Sequence, residues 1–497
     1  MGAEEYCSVR TRQGKLRGKW RRSDSGESAA FLGIPFAQAP VGSLRFAAPV
    51  PVEPWDGVRD ALQYGPTPVR LETPGGLIPE PAIPGDSTLN LNVFTPKPGE
   101  SDAALPVLVW IHGGGYFGGS SASPWYDGRN YNRDGVVVVS LSYRLGFDGF
   151  GWIDGAPANR GVLDWIAGLE WVQENIREFG GDPSRVTIAG QSAGGGAVLT
   201  LLGMERAQHL FAAAHSISGA FGDMPKSAAV EFARLLGERL GVEPTVEALR
   251  EVPEDKIFAV QQELSMPPGM DYLKSMVEDG PLVAPVVDGD LIQRPTFESY
   301  AMGVGSEKPL MLGATDEEFL MLVAGQSEQL AQVPLPDLLE SVGLSGATRD
   351  AYLASQPAYV ARGNAALLGK YLTDGIFRST VLRAAHARAG APTWLYRFAF
   401  VSTSYGLSGH CLDVPFWFDC LDSSEVPAHT GPNPPQALAT AMHSAAVEFV
   451  SAHDPGWSAW AADMGTTQVF GDGAEAAHLS RDEFNDVECL LKTAFRR

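Results

Sequence analysis

Ser192 lies at the centre of Gly190-Gln191-Ser192-Ala193-Gly194, which fits G-x-S-x-G. That spacing holds a serine hydroxyl out on a tight strand-to-helix turn, because the flanking glycines leave no Cβ in the way. The turn also aims the Ala193 N–H and the positive end of the new helix at an anion forming beside Ser192. Alone, the pattern could equally be an ordinary strand-to-helix turn. A second stretch, His112-Gly113-Gly114-Gly115, follows an apolar run and offers backbone N–H groups unobstructed by side chains. Gly114, Gly115 and Ala193 are therefore the expected oxyanion donors. A phosphate loop would need Lys followed by Ser or Thr, and Tyr116-Phe117 stand there instead.

An alkyl hydroxyl is a weak nucleophile at neutral pH, so Ser192 needs a base and the base needs a carboxylate to hold its tautomer. For an elbow serine the chain order is serine, acid, histidine. Among nine histidines, His410 lies in the turn-rich GLSGHCLDVPF after an apolar strand, a context the others lack. His112 reads as a buried residue shaping the glycine loop, and the remaining seven as surface or helix residues. Between Ser192 and His410 the acid candidates cluster as Asp316-Glu317-Glu318 after PLMLGAT. Residues leaving a strand cannot all point one way, so at most one of the three is expected to be placed to reach the histidine.

The elements that must carry these residues are legible from periodicity. Val107–Ile111 and the run at 135–147 are continuous apolar strands, as expected for a sheet covered on both faces. From Gly161 to Phe179, apolar residues recur on one helical face before Gly180-Gly181. Val186–Ile188 is a strand and Ala193–Leu202 a helix, with Ser192 between them. This succession predicts an α/β fold: a mostly parallel central sheet with helices on both faces. Ahead of it, residues 8–20 read as an antiparallel hairpin, 31–46 as an extended loop, and 67–86 as a surface loop able to rim a pocket. Strands resume at 282–292, 308–319 and 393–400. Amphipathic stretches at about 222–280 and 326–390 read as helical insertions capping the active site, within one domain spanning 1–497.

Composition narrows the partners. The 497 residues include 37 Lys+Arg against 59 Asp+Glu, and the net charge of -22 repels phosphate backbones and anionic lipid. Neither nucleic acid nor a membrane is expected, and no apolar run reaches the ~20 residues of a span. Cys7, Cys411, Cys420 and Cys489 form no C-x-x-C, and no metal-ligand spacing occurs. We expect a cytoplasmic protein with no cofactor and no metal.

GIPFAQAPVGSLRF, HGGGYFGG, SYRLGFDGF, NRGVLDW, WVQENIREFGGDPSRVTIAGQSAGG and HCLDVPFWF stand in order along the chain. Together they resemble the type-B carboxylesterase family, which contains bacterial para-nitrobenzyl esterases and the cholinesterases. The resemblance implies an α/β-hydrolase fold and cofactor-free hydrolysis of carboxylic esters by Ser192, with His410 matching the family's catalytic histidine. Counting from Gly313 in the family pattern makes Glu318 the acid and Glu317 the runner-up, since Phe319 replaces a usual Gly. Gln191 replaces the usual Glu before the nucleophile, and Asp86-Ser87-Thr88 replace Glu-Asp-Cys.

Tyr116, Phe117, Phe147, Trp152, Phe416 and Trp417 adjoin these motifs and are the candidate pocket walls, suiting aryl or short- to medium-chain esters. The expected partner is a small ester, and the protein a monomer or homodimer. A carbamate or amide hydrolase with the same residues is the alternative, and a non-catalytic binding protein on the same fold the more distant one.

Overall fold

Val107, Val109 and Ile111 face one apolar core, while Leu108 and Trp110 of the same run face another. A strand with two buried faces must lie inside a sheet covered on both sides. In the computed structural model, which describes residues 5–23, 26–70, 76–220, 222–267, 269–461, 465–473 and 475–492, that is where it lies. Truncating Trp110, only 1% exposed, to alanine would cost ~3–5 kcal/mol in a core this dense.

The strands are β1 (Tyr6–Arg10), β2 (Lys15–Ser23), β3 (Gly26–Pro35), β4 (Val58–Asp60), β5 (Asn90–Thr95), β6 (Leu105–Ile111), β7 (Val137–Leu141), β8 (Gly181–Gln191) and β9 (Ala213–Ile217). They continue as β10 (Met224–Pro225), β11 (Val286–Val287), β12 (Leu310–Thr315), β13 (Thr393–Phe398), β14 (Thr466–Phe470) and β15 (Ala477–Arg481). Thirteen form one sheet in the order β1-β2-β3-β5-β7-β6-β8-β9-β12-β13-β14-β15, with β4 beside β2. From β7 to β14 every neighbouring pair is parallel. The N-terminal hairpin joins through antiparallel β3–β5 and β5–β7 ladders, and antiparallel β15 closes the other edge. The order radiates outward from β6 and β8 in both directions, so the β8 terminus falls in the middle of the sheet.

Helix α1 (Arg160–Asn175) presents Val162, Trp165, Ile166, Leu169 and Val172 to the first core. It ends in a 3-10 turn and Gly180, whose φ of 81 reverses the chain into β8. Helix α2 (Ala193–Leu202) is buried along its full length. The helix at Gln436–Ala452 packs Leu438, Met442 and Phe449 into the second core.

Two expectations are corrected. The stretch at 31–46 is not all loop: Phe31 to Pro35 complete β3, because their side chains fill the core against β5. At 282–292 the central sheet does not resume; Val286–Val287 pair only with Met224–Pro225, in a separate two-stranded sheet. The stretches at 222–280 and 326–390 are helical, including Lys226–Leu240, Glu254–Ser265, Met270–Glu278, Gly346–Ser355, Asn364–Thr373 and Ser379–Ala387. Of the predicted rim loop at 67–86, residues 71–75 lie outside the described residues. No helix among the described residues is long and apolar enough to cross a membrane.

Candidate active site

β8 delivers Ser192 to the carboxyl edge of the sheet, and the corner is strained: Ser192 has φ 58 and ψ -124, outside the conformations a side chain normally allows. The strain persists because the surroundings dictate it. Its N–H donates to Ile217 O at 2.9 Å, and its carbonyl accepts from Gly196 and Ala220. A Cβ on Gly194 would lie 2.1 Å from Ile111 O, so strand and helix approach this closely only with glycine there.

The segments that follow β12 and β13 carry the acidic cluster and His410. Immediately after β12 the three acidic residues diverge. Asp316 takes the Arg397 guanidinium from β13 through Nε at 2.7 Å and Nη2 at 2.6 Å. Glu317 turns into a pocket of Arg362, Tyr359 and the Ser408 N–H. Glu318 Oε1 accepts from the Thr315 N–H at 2.7 Å, and Oε2 lies 2.5 Å from His410 Nδ1. His410 Nε2 is in turn 2.9 Å from Ser192 Oγ. The His410 backbone N–H also donates to Glu318 O at 3.1 Å, and Phe319 and Phe377 pack against the ring. Glu317 and Asp316 are both ion-paired, and Glu317 is 5% exposed.

Facing Ser192, Gly114 and Gly115 have φ 102 and 61. A Cβ on Gly114 would come within 2.2 Å of the Gly118 carbonyl carbon, so this coil is closed to any other residue. The Gly114 carbonyl accepts from Phe117 and Gly118, which curls the loop. Among the described residues no acceptor takes the N–H of Gly114, Gly115 or Ala193. His112 is buried and stacked on Tyr143 at 4.5 Å, and burial drives its pKa down to about 4. It is therefore a neutral ring that shapes the loop.

These groups open on a cavity of about 990 Å³ lined by Ser192, His410, Gly113, Gly114 and Gly115. Phe117, Met266, Tyr272, Met276, Leu282, Phe297, Phe319 and Phe377 give it an apolar wall, much of it from the helical stretches. Of the six aromatic residues predicted for the wall, Phe117 alone lines it. Tyr116, Phe147, Phe416 and Trp417 are core residues: Tyr116 packs on Phe150 and Trp165, Phe147 on Phe232, and Trp417 on Tyr396 and Phe470. Trp152 lies outside the lining, under the Lys226 ammonium. Sequence adjacency misled because side chains alternate: Tyr116 faces the core while its neighbour Phe117 faces the cavity.

Several lining or supporting residues carried too little sequence signal. Arg70 and Glu80 come from the rim loop; Glu80 Oε2 accepts from the Gly119 N–H at 3.1 Å, and burial raises its pKa. His429 also lines the cavity; His215, on β9 and buried, is neither a surface nor a helix residue, whereas His443 lies on the Gln436–Ala452 helix with its side chain buried. Asp413, three residues past His410, is fully buried beside Glu318 and His410. Burial first, and then the charge of Glu318, push its pKa up to about 7. No His, Cys, Asp or Glu cluster among the described residues could hold a metal ion.

A mostly parallel sheet with helices on both faces and a serine held on the sharp turn after its central strand defines the α/β-hydrolase fold. The carboxylesterase family profile matches residues 5–468, and the chain belongs to that family. It is accordingly a carboxylic ester hydrolase. It is similar to the para-nitrobenzyl esterase of Bacillus subtilis (strain 168), 33% identical over 434 residues that cover 84% of each chain. The liver carboxylesterase of Sus scrofa is 34% identical over 431 residues, covering 79% of this chain and 75% of that one. Among solved structures, a carboxylesterase of Geobacillus stearothermophilus at pH 6.2 superposes with a TM-score of 0.83 at 29% identity, covering 98% of this chain and 100% of that one.

Proposed function

We propose that the chain is a serine carboxylesterase working through an acyl-enzyme on Ser192, with His410 as base and Glu318 as its orienting acid. One observation carries the reading: a continuous hydrogen-bonded line, Glu318 Oε2 to His410 Nδ1 at 2.5 Å and His410 Nε2 to Ser192 Oγ at 2.9 Å, ends in the cavity. Glu318 fixes the tautomer with the proton on Nδ1, which leaves the Nε2 lone pair for the serine proton. Ser192 Oγ attacks the ester carbonyl, and the N–H groups of Gly114, Gly115 and Ala193 take the negative oxygen. One such donor is typically worth ~3 kcal/mol, and these are held in place before the charge forms. His410 then gives its proton to the leaving alcohol. Water enters by the same route to release the acid and regenerate Ser192.

The apolar wall favours aryl and short- to medium-chain esters, and no step calls on a cofactor or a metal. The 222–280 and 326–390 helices serve as caps within one α/β-hydrolase domain spanning 1–497, since residues from both line the cavity. Every site residue comes from one chain, so a monomer suffices and a homodimer is compatible. Cys7, Cys411, Cys420 and Cys489 are all free thiols, which suits a cytoplasmic setting. Steady-state rates on an ester, a carbamate and an amide sharing one acyl group test the assignment. Ester turnover should exceed the other two by orders of magnitude; a carbamate or amide preference would overturn it.

A further inference from the structure

The unshared pair on His410 Nε2 has two donors, not one. Besides Ser192 Oγ at 2.9 Å, the Gln191 Nε2 amide lies 3.2 Å from the same nitrogen. Both residues are buried, and the amide nitrogen is the atom nearest the imidazole. A Cβ on Gly113 would meet Gln191 Oε1 at 3.0 Å and Ser192 Cβ at 3.1 Å, so the amide oxygen is lodged against the oxyanion loop and the NH2 is turned to the imidazole. Since Nδ1 carries the proton shared with Glu318, Nε2 is an acceptor in the resting enzyme, and an amide N–H can only donate to it.

We infer that Gln191 is a positioning residue that holds His410 in its neutral, proton-accepting form and makes the imidazolium a stronger acid toward the leaving alcohol. The inference rests on the assignment of Ser192 and His410 made above. Donation to the lone pair stabilises the neutral ring and vanishes when Nε2 gains a proton, at which point two N–H donors face each other. The contact thus opposes protonation before attack and promotes proton release after it. The other ionisable groups around the ring are Glu318, at 2.5 Å from Nδ1, and Asp413. Cys411 stays a neutral thiol, and Phe319 and Phe377 cover the ring. Gln191 is the group whose sign of action differs: the Glu318 carboxylate favours imidazolium, Asp413 holds its proton below about pH 7, and the amide opposes imidazolium.

The test is the acidic limb of kcat/KM on one aryl ester, measured for wild type, Gln191→Met and Gln191→Glu. Methionine keeps the volume and removes the donor; glutamate places a charge-matched acceptor beside Nε2–H. The limb should move to higher pH in Gln191→Met, and by about one unit or more in Gln191→Glu. The pH dependence of Ser192 phosphonylation by an organophosphate should move in parallel, reading the same ring without ester turnover. Gln191→Asn, which withdraws the amide by one methylene, replaces either variant that does not accumulate as folded protein. Limbs superimposed on wild type, in variants whose Ser192 is still labelled stoichiometrically, would overturn the inference and leave the triad standing. Full turnover by Ser192→Ala would instead remove the assignment on which it rests.

Discussion

Glu317 and Glu318 are neighbours in the chain and opposites in space: Glu318 Oε2 is 2.5 Å from His410 Nδ1, whereas Glu317 Oε1 is 2.6 Å from Arg362 Nη1. The difference between them can be measured. Glu318→Gln should keep the fold and lower kcat by about 10⁴-fold, because it removes the charge that steadies the imidazolium and unsettles the tautomer. Glu317→Gln should leave kcat within about tenfold, at a cost in stability, since it strips a buried partner from Arg362. Parallel kcat and thermal-melt measurements decide the pair. A crippled Glu317→Gln with a near-normal Glu318→Gln would reverse the assignment.

The oxyanion loop yields a prediction about rate. Gly114 has φ 102 and no space for a Cβ, so Gly114→Ala must uncoil the segment that presents two of the three N–H groups. Losing a donor in this position typically costs ~10²–10³ in kcat. Kinetics on a short-chain ester should show kcat collapsing with KM changed far less, and a selective rise in KM would speak against an oxyanion role for this loop.

A neutral His410 must accept the serine proton, so kcat/KM should fall as pH drops and the ring protonates. Incubation with EDTA, followed by gel filtration, should leave turnover unchanged. Loss of activity restored by a divalent ion would point to metal-assisted hydrolysis instead.

Asp413 makes stability depend on pH in a way opposite to a paired carboxylate. Its folded pKa is raised from 3.8 to about 7, so the folded state holds a proton that the unfolded chain releases at lower pH. Stability contributed by that proton is present below about pH 4 and is lost as pH rises to about 7. Asp413→Asn removes the group, so the Tm of the variant relative to wild type should climb across that interval. Equal pH dependence of the two Tm curves would show that Asp413 titrates normally.

Which parts of this site could be read from sequence follows from the kind of constraint each part obeys. Ser192 and the Gly113–Gly115 run were legible because tight backbone turns demand glycine at fixed spacing, and glycine is visible in the letters. β6, β7 and β8 were legible because strands buried on both faces need continuous apolar runs. The six pocket aromatics were not: an aromatic residue beside a motif reads the same whether it faces core or cavity, and only Phe117 faces the cavity. Long-range pairings such as Arg397 with Asp316 and Arg362 with Glu317 span 81 and 45 residues and leave no local pattern. The acid came from a family count, and three adjacent carboxylates gave no local reason to prefer one. The Gln191 contact was invisible too, since it depends on how the amide lodges against Gly113.

The central claim is that Ser192 is the nucleophile, and stoichiometric labelling tests it most directly. The protein should be titrated with a serine-directed organophosphate while residual turnover of an aryl ester is followed, and the adduct then located by peptide mass spectrometry. One equivalent should abolish activity with the added mass on Ser192, and Ser192→Ala should be both unlabelled and inactive. Activity persisting in Ser192→Ala, or full inactivation with the adduct on another residue, would contradict the account.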